Sequence, residues 1–155
     1  MTVALVYRKD RIPALPAGFG FLAPARERGV LVACTFTGAK FPFRVPDTHA
    51  VLRCFLGGAG NEAILDAQDG DIQTAIQDEL ERLLGWRHAP DHVRITRWKR
   101  AMAQYTVGHE SRMRLIGEIR STLPGLHLAG NAYTGIGIPD CIRMGRAAAR
   151  AAIAR

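Results

Sequence analysis

The sequence predicts an α+β fold in which an antiparallel or mixed sheet comes first and is flanked by helices. Three observations predict it. The chain has 155 residues, of which 48% are hydrophobic and 23% charged, so it can bury the core of one globular unit. Short apolar, β-rich segments follow one another through the first half. In much of the second half, apolar residues recur at helical spacing instead.

Four segments in the first half have the composition of β-strands. They cover residues 3–7, 20–23, 30–36 and 49–56. The polar turn at residues 26–29 separates the second segment from the third, so these two are expected to pair as a hairpin. Residues 38–46, which contain Phe41, Pro42 and Phe43, are expected to form a loop.

The second half opens with a predicted helix over residues 71–84. Ile72, Ile76 and Leu80 recur every four residues, and Gly85 follows as a helix-ending signal. Four later segments are predicted from their periodicity. They are a strand at residues 92–98, a helix at 108–120, a short strand at 126–130 and an alanine-rich helix at 139–154.

Charge and cysteine content exclude several classes of protein. The chain carries 21 Lys and Arg against 14 Asp and Glu, a formal charge of +7, but no cluster of basic and aromatic residues typical of nucleic-acid binding. No apolar run reaches the ~20 residues of a membrane span, and the first residues lack the pattern of a secretory leader. The widely spaced Cys34, Cys54 and Cys141 are expected to act as small hydrophobic residues in a reducing cytoplasm.

Two motifs suggest chemistry but lack the context for it. Residues 58–63 fit the dinucleotide pattern G-x-G-x-x-A after a strand, but Gly70 interrupts the segment that follows, so a plain strand-to-helix loop is expected. His88 and His92 have the spacing of two zinc ligands on one helix face. Because Pro90 lies between them, that stretch is not expected to be helical and no metal site is expected.

A basic stripe lies on the last predicted helix. Arg143, Arg146 and Arg150 recur at three and four residues and therefore share a face. A solvated surface accounts for this pattern. An acidic partner, lipid head groups and substrate carboxylates are the alternatives that the spacing leaves open.

The most informative segment is residues 126–146, LHLAGNAYTGIGIPDCIRMGR, in which a predicted strand enters a glycine-rich loop that leads into a helix. Gly130, Gly135 and Gly137 allow the main chain to approach a flat ligand closely. Pro139 and Asp140 suit the first helical turn, where main-chain N–H groups favour negative charge. A reduced flavin carries such charge near N1 and its C2 carbonyl, so a redox cofactor suits this loop. A plain strand-to-helix connection is the alternative.

Three further segments accompany AGNAYTGIGIPDCIRMGRAA at residues 129–148. They are GFGFLAP at residues 18–24, FLGG at 55–58 and RWKRAMAQYTVGH at 97–109. In order and spacing, the four segments resemble the oxygen-dependent protoporphyrinogen oxidases, a branch of the flavin-containing amine oxidase superfamily that includes coproporphyrinogen oxidases. The resemblance covers nearly the whole chain but only the last third of the family's length. Lys99 and Ala103 stand where family members usually have proline.

The resemblance implies an FAD-dependent oxidoreductase of haem biosynthesis that converts a porphyrinogen to a porphyrin with O₂ as electron acceptor. It implies hydride transfer from a meso carbon to flavin N5, for which no catalytic acid or base is assigned in the family. Phe19 matches an aromatic residue that packs on the tetrapyrrole. Flavin contacts are implied for six positions, namely Trp98, Gly130, Gly135, Ile136, Gly137 and Ile138.

The resemblance also implies how the chain is organised. Residues 1–155 would be a single truncated unit, with a substrate-domain part at 1–100 and a flavin-contact segment at 101–155. The expected partners are a porphyrinogen and the missing N-terminal FAD-binding half, without which the chain is expected to be inactive. A cytoplasmic location, peripheral contact with the inner face of the membrane and self-association are further expectations. The alternatives are a non-catalytic tetrapyrrole-binding or assembly module, and part of another amine-oxidase-like flavoprotein.

Overall fold

The computed structural model describes residues 1–154, which fall into two compact units. The first is Met1–Lys99, and the second begins at Arg100. One antiparallel sheet combined with helices confirms the predicted α+β class. Within the described range, no helix combines the length and the hydropathy needed to cross a bilayer.

The first unit is built on a five-stranded sheet. Its strands are β1 (Thr2–Arg8), β2 (Gly20–Leu22), β3 (Leu31–Phe36), β4 (His49–Leu56) and β5 (His92–Thr96). They lie in the order β2-β3-β4-β1-β5, and every neighbouring pair is antiparallel. All five predicted strands of this unit are confirmed, as is the hairpin of β2 with β3.

One face of the sheet is buried beneath the helix α2 (Asp69–Leu84). Alternate residues of β4 are buried, because successive side chains of a strand point to opposite faces. Leu52 is one of them, and it packs in the same core as Ile76 of the helix. Trp86, which follows α2, is fully buried and packs edge-on against Tyr7 with 5.1 Å between the ring centroids.

Cys34 and Cys54 are cross-strand partners inside this core. Their sulfur atoms lie 3.9 Å apart and both thiols are free. The hydrogen bond with Cys34, together with burial, raises the pKa of the Cys54 thiol above its usual range. The two residues therefore behave as the small buried hydrophobic side chains that their apolar strands predicted.

The helix α2 ends as predicted at Gly85, which adopts a left-handed conformation with φ of 71°. Near this end, Glu79 is the one buried charged residue that the described chain contains. Its carboxylate accepts hydrogen bonds from the main-chain N–H groups of Gly29, Val30 and Leu31 at 3.1, 2.7 and 2.8 Å. This contact ties the helix to the turn that precedes β3.

The prediction of a loop at residues 38–46 is wrong in part. The chain forms a helical turn, α1 (Thr37–Lys40), and then a 3₁₀ turn at Pro42–Arg44. Proline in the first position suits such a turn, because its ring fixes φ and its missing N–H needs no partner there. The Arg44 guanidinium lies 4.6 Å from the ring centroid of Phe41, which adds a cation–π contact.

The second unit contains two helices, α3 (His109–Ser121) and α4 (Ile138–Ile153), both close to their predicted bounds. The prediction of a strand at residues 126–130 is wrong, because this segment has no regular structure. A strand requires a neighbour with which to exchange hydrogen bonds, and the described part of this unit contains none. Met144 is the sole buried hydrophobic residue that the structure describes in this unit.

Candidate functional site

The second face of the sheet, opposite α2, carries half-buried and exposed side chains. The strand register aligns these side chains in rows that cross the sheet. One row consists of Leu22, Ala33, Phe55, Thr2 and Thr96. We call this side of the sheet the open face.

Trp98 lies just beyond the end of β5, next to the row that contains Thr2 and Thr96. Its indole Nε1 donates a hydrogen bond to the Thr2 hydroxyl at 3.1 Å, and 56% of the side chain is exposed. The neighbouring Arg97 donates to the carbonyl oxygens of Leu65 and Ala67 at 3.0 and 2.7 Å and pairs with an acidic side chain of α2. Arg97 therefore fastens the segment that carries Trp98 to the rest of the first unit.

Phe19 precedes β2, at the other edge of the sheet. Its side chain is 67% exposed, and its carbonyl oxygen accepts a hydrogen bond from the Phe36 N–H at 2.8 Å. Residues 20–24 line a groove of about 290 Å³ with the end of α2, but Phe19 is not among the lining residues. Phe19 lies beside β2 and the Trp98 indole contacts β1, so three strand spacings, or about 14 Å, separate them across the sheet. The two predicted aromatic contacts of the first unit are therefore far apart.

In the second unit, residues 130–138 form an irregular crossover that leads into α4. Gly135 has φ of 138°, a conformation that L side chains rarely adopt. A Cβ atom added there would overlap the side chain of Asp140. Asp140 is held in turn by an ion pair with Arg143 at 2.9 Å, and Arg143 also donates to the carbonyl oxygen of Thr134 at 3.1 Å.

The crossover ends with three main-chain N–H groups that make no hydrogen bond within residues 1–154. They belong to Ile136, Gly137 and Ile138. The next residue, Pro139, has no N–H, and no side chain caps the helix. The Ile136 and Ile138 side chains are exposed. Free N–H groups at the start of a sixteen-residue helix create a region of positive potential.

Two side chains hold the crossover in place, one from the segment before α3 and one from the first residue of α3. The Tyr105 hydroxyl donates to the Asn131 carbonyl oxygen at 3.0 Å and accepts from the Gly135 N–H at 2.9 Å. His109 Nε2 lies 2.7 Å from the Tyr133 carbonyl oxygen. We call these two side chains the clamp. Sequence reasoning used this segment only for its resemblance and did not assign a role to either residue.

Comparison with known proteins decides the family. The flavin containing amine oxidoreductase family matches residues 5–153. The chain belongs to this family. Its relatives include a coproporphyrinogen III oxidase of Bacillus subtilis, 35% identical over 94% of this chain, and one of Staphylococcus aureus, 30% identical over 99% of this chain.

A solved structure from Exiguobacterium sp. 255-15, described as a protoporphyrinogen oxidase, is also similar. It is 33% identical, covers 94% of this chain and superimposes with a TM-score of 0.82. The chain spans 31%, 33% and 32% of the lengths of the three relatives, or about a third of each.

Within this member of the flavin-containing amine oxidoreductases, the predicted site residues are divided between the two units. Phe19 and Trp98 belong to the first unit. The crossover brings together the other predicted residues, which are Gly130, Gly135, Ile136, Gly137 and Ile138.

Residues 58–63 lead into a 3₁₀ turn, Glu62–Asp66, rather than an α-helix, and therefore lack the helix start that binds a pyrophosphate. Residues 1–154 contain no group of three or more His, Cys, Asp and Glu side chains that could hold a metal ion.

Proposed function

We propose that this chain provides the flavin-contact segment and part of the substrate surface of an FAD-dependent porphyrinogen oxidase. Its substrate would be coproporphyrinogen or protoporphyrinogen, and O₂ would be the final electron acceptor. The observation that carries the proposal is the set of three unpaired N–H groups at residues 136–138, presented by a crossover that the clamp holds. The names of the relatives from Bacillus subtilis and Exiguobacterium support the class of substrate.

The crossover fits the polar edge of a flavin. Carbonyl and ring-nitrogen acceptors need N–H donors, and Ile136, Gly137 and Ile138 offer donors that no protein group satisfies within the described residues. When bound, FAD supplies the acceptor for the hydride that leaves the porphyrinogen. The N–H groups and the positive end of α4 stabilise negative charge at this edge, and exposed Ile136 and Ile138 present apolar surface beside it.

The first unit would contribute binding and the exclusion of water. Its open face presents a row that includes the apolar Leu22 and Phe55, and the Trp98 indole lies against Thr2 of the same row. A flat, apolar macrocycle can cover such a surface. No side chain of the chain is assigned as an acid or base, so these residues act by orienting the substrate and keeping water away.

We further propose that the ADP part of FAD is held by a segment outside these 155 residues. The chain spans about a third of its relatives, and residues 58–63 do not form a dinucleotide site. The second unit also exposes much apolar surface, for example at Val107 and Leu115. Such surface is typical of a partner interface. On this proposal, residues 1–155 alone are inactive.

Substitution at Gly137 tests the flavin contact. Gly137 has φ of −72° and ψ of 153°, which proline can adopt, so Gly137→Pro removes one N–H with little change of the main chain. Gly137→Ala keeps the N–H and is the matched control, because its Cβ would lie 3.4 Å from a side-chain oxygen of Asp140 and 3.5 Å from Pro139 Cδ, which are tolerable contacts. In a complex with the N-terminal half of the Bacillus subtilis relative, we expect Gly137→Pro to weaken flavin retention about tenfold, near 1.4 kcal/mol, and Gly137→Ala to leave it unchanged.

The same complex tests the activity. We expect the isolated chain to be colourless and inactive, and the complex to be yellow and to produce porphyrin fluorescence from a porphyrinogen. Stoichiometric flavin on the isolated chain would overturn the proposed need for a second half. A complex that retains no flavin would overturn the proposed function.

The open face also favours a second candidate, a tetrapyrrole-binding or assembly module without catalysis. Such a module would bind porphyrin in the absence of flavin, and the complex above would show no turnover. Self-association through exposed surface is a related proposal, since β2 and β5 are edge strands. Light scattering that gives a monomer at every concentration would contradict it.

A further inference from the structure

A second row of the open face carries two arginines. Ala4 of β1 pairs with Arg53 of β4 on one side and with Arg94 of β5 on the other. Residues opposite each other on neighbouring strands point to the same face. The Cα atoms of the two arginines are therefore about 10 Å apart, with only a methyl side chain between them.

Both guanidinium groups are unpaired within residues 1–154. Arg53 and Arg94 are exposed, and neither side chain makes a hydrogen bond or an ion pair to another described residue. Arg8, which lies on the same face, differs because it pairs with Asp10. Arg97 differs as well, because its Nε and Nη2 atoms contact two carbonyl oxygens and the Asp69 carboxylate.

The open face has no acidic residue of its own. Its strand positions comprise threonines, apolar residues, two histidines and arginines, and none is Asp or Glu. The row with Phe55 lies two residues along the strands from the row with Arg53, or about 7 Å away. The face thus places two free cationic groups beside a row that is apolar at Leu22, Ala33 and Phe55 and ends in two threonines.

We propose that Arg53 and Arg94 bind carboxylates on the rim of the porphyrinogen and select the substrate with more of them. This assignment rests on the proposed function. Guanidinium groups form paired hydrogen bonds with carboxylates, and an apolar neighbour strengthens such contacts by reducing competition from water. Coproporphyrinogen has propionate groups at the two ring positions where protoporphyrinogen has vinyl groups. Protoporphyrinogen has propionates on only two neighbouring pyrroles and must turn that side to Arg53 and Arg94, whereas coproporphyrinogen has one on each pyrrole and can meet both arginines in more orientations, so the pair favours coproporphyrinogen.

Binding of stable porphyrins to the full chain tests the assignment. Coproporphyrin III and protoporphyrin IX are titrated against the wild type and against Arg53→Gln and Arg94→Gln. Tryptophan fluorescence provides the readout, because a bound porphyrin quenches it, and the part of the signal that Trp98→Phe removes belongs to the open face whereas Trp86 is fully buried. Arg87→Gln is the charge-matched control, since Arg87 pairs with Glu81 of α2 and lies outside the strands.

We expect each open-face variant to weaken coproporphyrin binding about tenfold and protoporphyrin binding distinctly less. Arg87→Gln should change neither affinity. Arg53→Lys and Arg94→Lys keep the charge but lose the paired hydrogen bonds, so they should bind coproporphyrin more tightly than the glutamine variants and more weakly than the wild type, which keeps the test open if a glutamine variant folds poorly.

Unchanged coproporphyrin affinity in both glutamine variants would overturn the assignment, as would porphyrin binding that leaves Trp98 fluorescence intact. An equal loss for both porphyrins would overturn the selection of substrate. These results would leave the proposed function standing if the Gly137 variants still separate in flavin retention. Failure of the chain to bind either porphyrin would overturn both the arginine assignment and the proposed substrate surface.

Discussion

The hydroxyl of Tyr105 accepts a hydrogen bond from the main-chain N–H of Gly135, 2.9 Å away, and this contact joins the segment before α3 to the glycine-rich crossover. The Tyr105 ring stacks on His109 with 3.9 Å between centroids and 9° between planes. His109 Nε2 must carry a proton in its contact with the Tyr133 carbonyl, because a carbonyl oxygen only accepts. The clamp therefore uses one stacked pair to fix several points of a loop that has no regular structure.

Removal of the Tyr105 hydroxyl should loosen the crossover. Tyr105→Phe keeps the stacked ring but loses the bonds to Gly135 and Asn131, at a cost of about 1 kcal/mol for partly exposed groups. We expect faster amide hydrogen exchange over residues 130–138 and weaker flavin retention in the reconstituted complex. Tyr133→Phe is the matched control, because the Tyr133 hydroxyl makes no hydrogen bond within the described chain. Equal exchange rates in the two variants would show that the clamp does not order the crossover.

A methyl group at Gly135 should be more harmful than one at Gly145. At Gly135 the added Cβ would overlap Asp140 in a backbone conformation with positive φ, which costs about 1–3 kcal/mol. At Gly145, inside α4, the Cβ would enter open space, and alanine should stabilise the helix by about 0.5–1 kcal/mol. Denaturant unfolding of Gly135→Ala and Gly145→Ala should give midpoints that shift in opposite directions. Shifts of the same sign would contradict the packing described for the crossover.

Local patterns in the sequence predicted most of the fold correctly. The alternation at residues 49–56 and the helical spacing that ends at Gly85 depend on which side chains are buried, and each element carries that information in itself. The prediction of a strand at residues 126–130 failed because an apolar composition indicates a tendency to form a strand but does not show whether a partner strand is present. Strand formation depends on that partner, so composition alone was not sufficient.

The candidate site likewise contains residues that a local sequence pattern identifies and residues that only the fold brings together. The glycines, Pro139 and Asp140 could be identified because the start of a helix has a local signature. The clamp could not, since Tyr105 and Gly135 are 30 residues apart and nothing local links them. Arg53 could be assigned to the outer face of its strand from alternation. Its proximity to Arg94 required the strand order, which places β1 between β4 and β5.

The buried carboxylate of Glu79 should contribute strongly to the stability of the first unit. In Glu79→Gln, an NH₂ group replaces one of the oxygens that accept hydrogen bonds from main-chain N–H groups. This NH₂ group would then face N–H donors. We expect a loss on the order of 2 kcal/mol in the free energy of unfolding, because buried donors would be left without an acceptor. Glu81→Gln, at an exposed position of the same helix, should cost much less. Equal losses in the two variants, measured by urea unfolding, would contradict this role for Glu79.

The hydrogen bond between Lys99 and Asp66 should be visible as a shifted titration. The Lys99 ammonium donates to the Asp66 carboxylate at 2.7 Å and holds the pKa of that carboxyl below its ordinary value of 3.8. A carboxyl group with a lowered pKa stabilises the folded state above its unfolded pKa, and this contribution is lost as the pH falls through the folded pKa. Both side chains are largely exposed, so the contribution is small and screened by salt. In Lys99→Ala, the ¹³C NMR titration midpoint of Asp66 should move up towards the ordinary value of 3.8, because the two largest causes of the lowered pKa both come from Lys99. Lys9→Ala removes the same charge elsewhere and should leave the midpoint in place, so a midpoint that both variants move equally would mean that net charge, rather than the contact, sets the pKa of Asp66.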